Sequence, residues 1–161
     1  MISPETLRRY PHFAGVSDGS LKSIAMISDE RSFKSNEKLF SESGELKAGT
    51  QVYEKGDEAT FLLLLTEGQV DIVFSVRDGE NIVVDTLVSG DLMAISALIP
   101  PHQLAASGIA RQDGKLIQIK APELRQLCED VPELGYRLML QVAKTAKSRL
   151  SQARVQLAAQ G

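Results

Sequence analysis

Between Leu46 and Ile119 the chain is cut into strand-length apolar segments by glycines placed where the backbone must reverse. The segments read Leu46-Lys-Ala-Gly-Thr-Gln-Val-Tyr53, Glu54-Lys-Gly-Asp57, Phe61-Leu-Leu-Leu-Leu-Thr-Glu-Gly-Gln-Val70 and Val88-Ser-Gly-Asp-Leu92. Short apolar runs bounded by turn formers at this spacing read as a β-rich zone running to about residue 119. Asp78-Gly79 marks a hairpin between Val70–Val76 and Asn81–Val88. Gly56, Gly68 and Gly90 stand at the strand-linking turns, where a positive φ is expected and a β-carbon is costly.

Both ends of the chain change period. Ser3-Pro-Glu opens residues 3–30 with a cap residue and a first-turn proline, and Leu7 and Tyr10 share a face. After a break from Pro11 to Asp18, Leu21, Ile24, Ala25 and Ile27 return at helical spacing. At the other end the pattern predicts a short helix over Pro122–Asp130 and a long one from Pro132 to about Ala159. A single domain over 1–161 follows, with N-terminal helices at 3–30, a β-rich zone at 31–120, which the resemblance described below makes a β-roll, and C-terminal helices at 121–160. Phe33–Phe40 repeats the pattern of Leu46–Tyr53 thirteen residues earlier; duplication and chance similarity both account for it, and 33–45 is an extra strand or a hairpin partner.

The order of strands and glycines resembles the cyclic nucleotide-binding domain, the β-roll of catabolite activator-type regulators, protein kinase A regulatory subunits and gated channels. The resemblance implies a fold that is mainly β with flanking helices: a double-stranded β-helix (jelly roll). In that family a Gly-Glu-Leu-Ala-Leu segment follows a Gly-Asp turn and presents backbone N–H groups and a glutamate to the cyclic phosphate and ribose. An arginine followed by Ser/Thr-Ala neutralises the phosphate. Here the turn is Gly90-Asp91, but Ala94 stands at the glycine, Ile95 at the glutamate and Ser96 at the leucine, before Ala97 and Leu98, which fit. Leu104 occupies the arginine position ahead of Ala105 and Ala106, and no arginine or lysine lies between Arg77 and Arg111. A buried phosphodiester needs a paired charge or a dense set of donors. Losing that pair costs several kcal/mol, on the order of a thousandfold in affinity. The expectation is therefore no cofactor: cAMP or cGMP is allowed by the family resemblance but disfavoured by these residues.

Two readings of the pocket stay open. It holds a different, more apolar effector lined by Gly90, Asp91, Met93, Ala94, Ile95, Ser96, Ala97, Leu104, Ala105 and Ala106, or those side chains simply fill it. His102, in Pro100-Pro-His-Gln103, is a lone histidine beside the pocket, and His12 next to Pro11 reads as packing or surface. With one cysteine, Cys128, and two distant histidines the chain offers no disulfide pair, zinc set or metal site. It carries no Gly-x-Ser-x-Gly elbow, Walker loop or His-Glu-x-x-His, and Glu129-Asp130 reads as solvated helix surface. We expect no catalysis.

The last helix carries a second signal. Met139, Ala143, Ala146, Leu150, Ala153 and Leu157 follow 4-3-4-3-4 spacing, a heptad stripe, while Leu134, Leu138 and Val142 form a neighbouring face suited to the helix's own roll. In the catabolite activator-like branch the corresponding helix is the dimer interface, so the resemblance implies a parallel homodimer; a monomer that tucks both stripes against itself is the alternative. From Leu134 onward there are five basic residues and no acidic one, leaving 13 basic against 21 acidic, or −8, for the rest. The winged helix-turn-helix that follows the long helix in regulators is absent from these residues, so direct nucleic-acid binding is not expected. The N-terminus lacks the apolar run of a signal peptide, and no segment reaches the roughly 18 apolar residues of a membrane span, which sets the expectation of a cytoplasmic protein. The function expected is a non-catalytic regulatory or sensing module with a small effector, or else a ligand-free assembly module dimerising through its last helix.

Overall fold

A computed structural model describes residues 1–40, 57–77 and 80–160. The second copy of the repeat, Leu46–Tyr53, Gly56 and the turn pair Asp78-Gly79 lie outside the described residues. Two short helices open the chain, α1 (Pro4–Arg8) and α2 (Asp18–Met26), each capped by a serine side chain that accepts from the first turn: Ser3 from the Glu5 N–H and Ser17 from the Ser20 N–H.

Strands β1 (Ser28–Phe33) and β2 (Lys38–Phe40) come next, then β3 (Phe61–Glu67), β4 (Val70–Arg77), β5 (Glu80–Leu87) and the two-residue β6 (Leu92–Met93). A 3-10 turn, Ile95–Leu98, leads to β7 (Ser107–Ala110), β8 (Gly114–Lys120), α3 (Ala121–Asp130) and α4 (Pro132–Gln160). Among the described residues the strands form two antiparallel four-stranded sheets, β1-β8-β3-β6 and β2-β7-β4-β5. The expected hairpin is the β4–β5 pair, with Val70 opposite Leu87.

The β-roll begins at Ser28, not at residue 31. The Ser28 hydroxyl donates to the Ile24 carbonyl, the Lys120 N–H donates to the Ile27 carbonyl, and Ser28 then pairs with Ile119. Pairing with the central strand β8 thus overrides the polar, strand-poor sequence Ser-Asp-Glu-Arg. The first copy of the repeat divides between the sheets. Phe33 ends β1 in one, and Lys38–Phe40 adds a strand beside β7 in the other, the extra-strand alternative.

The leucine run of β3 is buried on both faces, which is why it reads as continuous rather than alternating. Its outward residues Leu62 and Leu64 join Ile117 and Ile119 under a helical layer made by Leu7, Leu21, Ile24, Leu124, Leu134, Leu138 and Val142. Its inward residues Leu63 and Leu65 meet Phe33, Leu116, Val70, Ile72 and Leu87 between the sheets. Leu134, Leu138 and Val142 are all buried, so this stripe of α4 faces its own domain.

Candidate functional site

Gly90 has φ +99°, and Gly68 has φ +92°, the left-handed region that favours glycine. The Gly90-Asp91 turn is pinned to β3. Gly90 N–H donates to the Leu65 carbonyl at 2.7 Å and Leu65 N–H to the Asp91 carbonyl at 2.9 Å, while the Asp91 carboxylate accepts from Val88 N–H at 2.9 Å. Three residues beyond Asp91, Ala94 has φ +55° and precedes the 3-10 turn. That conformation costs an L-residue roughly 1–2 kcal/mol. The position therefore asks for glycine although alanine occupies it.

A cavity of about 500 Å³ opens between the first sheet and β2, lined by Ala94 and Leu104 with Leu39, Phe61 and Leu63 on the apolar side and Asp57, Glu58, Thr60, Gln118 and Arg31 on the polar side. Of the residues expected at the pocket, Ala94 and Leu104 line this space. Met93 instead is fully buried in the core between the sheets, and Ile95 packs against the cluster beneath the helices. The two residues flank Ala94, and the reversal of the backbone there sends their side chains to different layers. Ser96 and Ala97 form the 3-10 turn, Ala97 buried; Ala106 packs on the inner core, and Ala105 is exposed. His102 works through its backbone, its carbonyl accepting from Ala59 N–H at 2.7 Å at the mouth of the cavity.

Arg31 escaped the sequence reading. No basic side chain exists near Leu104 in sequence, but β1 lies beside β8, and Arg31 stands opposite Leu116 on the face that Phe33 shares. A guanidinium thus reaches the cavity from a strand 73 positions away. No local pattern announces it, because Asp29-Glu30-Arg31-Ser32 resembles a solvated turn.

Both C-terminal helices hold the backbone around the turn. Arg125 of α3 donates from Nη1 to the Ala97 carbonyl at 2.7 Å, and Arg149 of α4 donates from Nη2 to the Leu92 carbonyl. His12, expected to be a packing or surface residue, bridges two elements. Its Nε2 donates to the Gly90 carbonyl at 2.8 Å, and its Nδ1 meets the side-chain amide of Gln141 on α4 at 3.0 Å. Burial pushes the Arg149 guanidinium down from its ordinary range, with Asp85 and Asp91 partly restoring it. Burial likewise raises the Asp85 carboxyl, against the Thr86 N–H and Arg149. Both shifts run the same way: desolvation outweighs the attraction between these ions. Among the described residues Arg149 Nε is buried without a partner.

On α4, Met139, Ala143, Ala146, Leu150 and Leu157 are exposed and Ala153 is half-buried. Among the described residues no group of three or more His, Cys, Asp or Glu side chains could hold a metal ion, and no helix is long and apolar enough to cross a membrane.

A search of curated proteins found no match. Among solved structures, the chain is similar to a candidate cyclic nucleotide-binding protein of Geobacter metallireducens GS-15, at 33% identity over 93% of this chain and 99% of that one, with a TM-score of 0.76. The N-terminal domain of a transcriptional regulator from Streptomyces coelicolor A3(2) shares the fold at 23% identity, over 90% of this chain and 92% of that one, TM-score 0.63. So does the Thermus thermophilus catabolite activator protein at 20% identity, over 92% of this chain and 62% of that one, TM-score 0.66. The family model for the cyclic nucleotide-binding domain matches residues 43–131, more than half of the sequence. With its two antiparallel sheets, flanking helices and long C-terminal helix, this chain belongs to the cyclic nucleotide-binding domain family.

Proposed function

We propose that this domain is a non-catalytic sensing module: a small effector occupies the cavity beside Ala94 and Leu104, and its presence is passed to α3 and α4. The observation that carries this reading is the pair of arginine contacts, Arg125 to Ala97 and Arg149 to Leu92, which bracket Ala94. A ligand that shifts the backbone at Ala94 must lengthen or re-form one of those bonds. Each charge-assisted bond contributes roughly 1.5–3 kcal/mol, enough to bias a helix orientation severalfold or more.

The effector is not cAMP or cGMP held in the family's usual way, because Leu104 cannot neutralise a phosphodiester and Ile95 has packed towards the helices. Isothermal titration should give no binding, or only weak binding, for either nucleotide; a low-micromolar or tighter constant overturns this. Native mass spectrometry of freshly purified protein tests the sensing reading itself. A retained small molecule supports it. Its absence, together with hydrogen exchange in α4 that no small molecule alters, would favour a ligand-free assembly module instead.

That second reading has its own support in the exposed Met139, Leu150 and Leu157 on one face of α4, the stripe through which a parallel homodimer would form. The two readings combine naturally if the effector controls pairing of the helix. A cytoplasmic location accords with the absence of a membrane-spanning helix among the described residues.

A further inference from the structure

We propose that the cavity selects a small apolar molecule bearing a single negative charge, a carboxylate or its equivalent, and that Arg31 is the anion anchor. This rests on the sensing reading above and adds the class of ligand to it.

A guanidinium has five N–H donors. Among the described residues Arg31 uses one of them, Nη2 to Glu37 Oε1, at the long distance of 3.5 Å with both side chains more than a third exposed. A pair of that kind contributes little, and Glu37 gains little from it, since its Oε2 is buried without a partner. Among the described residues the rest of the fork has no partner, which suits it to take a carboxylate in two-pronged fashion. Arg31 lies on the inward face of β1, and the walls beside it are Leu39, Phe61, Leu63 and Leu104. An apolar body with one anionic end matches that division between a cationic edge and hydrocarbon walls.

The sign and size of the charge are limited by the other lining groups. Asp57 and Glu58 also line the cavity, Glu58 exposed and Asp57 half-buried, so both can remain hydrated without a ligand. They oppose any negative charge, and a phosphate dianion twice over, so a single carboxylate held directly against Arg31 is the most negative group the lining can accept. A cationic ligand would instead bring its charge to an edge already held by Arg31. The cavity volume, about 500 Å³, lies within the range of small-molecule sites.

The test compares octanoate with octan-1-ol, which share a chain and differ in charge, by titration into labelled protein followed through backbone amide NMR shifts. Octanoate should perturb the amides of Leu39, Leu63 and Leu104 and bind roughly tenfold or more tightly than octan-1-ol. Arg31→Gln should bring octanoate to the level of octan-1-ol, and Glu37→Gln, which frees the guanidinium, should strengthen octanoate binding. Equal affinity for the two probes, or a preference that survives Arg31→Gln, overturns the anchor while leaving the cavity as a site. If neither probe moves those amides at millimolar concentration, the apolar-anion class is overturned, and the sensing reading is still decided by the native mass spectrum. Should Arg31→Gln fail to fold, Arg31→Lys, which keeps the charge and loses the fork, decides: octanoate binding as tight as in the wild type refutes the two-pronged role of Arg31.

Discussion

Replacing Leu150 and Leu157 with glutamate addresses whether α4 pairs with a second copy. Leu150 is 52% exposed and Leu157 71% exposed, so half or more of each side chain remains to be buried by a partner. Complete burial of a leucine contributes roughly 1.5–3 kcal/mol, and the exposed share of each is therefore worth about 1–2 kcal/mol. Two leucines on each of two protomers bring the hydrophobic loss to about 4–8 kcal/mol, three or more decades in dissociation constant. Four carboxylates facing one another along the seam deepen the loss. The fold of each protomer should survive, because the face that holds α4 to its own roll is Leu134, Leu138 and Val142, all of them untouched. Sedimentation velocity should show a dimer for the wild type and a monomer for the double variant, with the same far-UV circular dichroism. A wild type that sediments as a monomer at tens of micromolar refutes the pairing. A variant that loses its circular dichroism shows that the stripe supports its own domain.

Ala94→Gly should be neutral or stabilising by up to about 1 kcal/mol, since it relieves a left-handed alanine, and thermal melting checks it. Gly90→Val should lower the melting temperature more than Gly161→Val: no atom crowds a β-carbon at Gly90, so the cost is the strain of φ +99°, on the order of 1–3 kcal/mol. The paired variant Ile95→Glu, Leu104→Arg should gain affinity for cAMP by titration calorimetry; no gain would show that the backbone around Ala94 does not receive a phosphate. Burial raises the folded-state Asp85 carboxyl above its ordinary 3.8, so ionising it opposes folding. Its destabilisation is absent below the unfolded pKa and grows as pH rises through the raised folded value, and the stability advantage of Asp85→Asn should widen from pH 4 to pH 7. Equal melting curves at both pH values would contradict that sign.

The β-roll was legible because glycines at 68 and 90 and the leucine run at 61–65 each follow from backbone sterics or from double-sided burial, which act locally. Helices α1 and α3 announced themselves by Ser3 and by the proline that opens Pro122–Asp130, and α2 by the helical spacing of Leu21, Ile24 and Ala25, again through nearest-neighbour chemistry. The start of the roll was missed because β1 owes its conformation to β8, ninety residues away, rather than to its own side chains. The same pairing carries Arg31 to the cavity. Met93 and Ile95 were misplaced for the opposite reason: their identity was clear, but which layer each enters depends on the φ of the alanine between them. Contacts made through β-sheet register and backbone handedness leave no mark in composition or spacing.

The three side chains that attach the helical layer near the Gly90–Ala97 turn, His12, Arg125 and Arg149, all address main-chain carbonyls, those of Gly90, Ala97 and Leu92. Carbonyls are common to every residue, so exchanging the side chains at 94–97 leaves these attachments in place. On the sensing reading proposed above, the residues beside the cavity could then be exchanged while the helices keep their grip on the turn. Ala94, Ile95 and Ser96 therefore sit in a turn whose attachment to the helices does not depend on which side chains they carry.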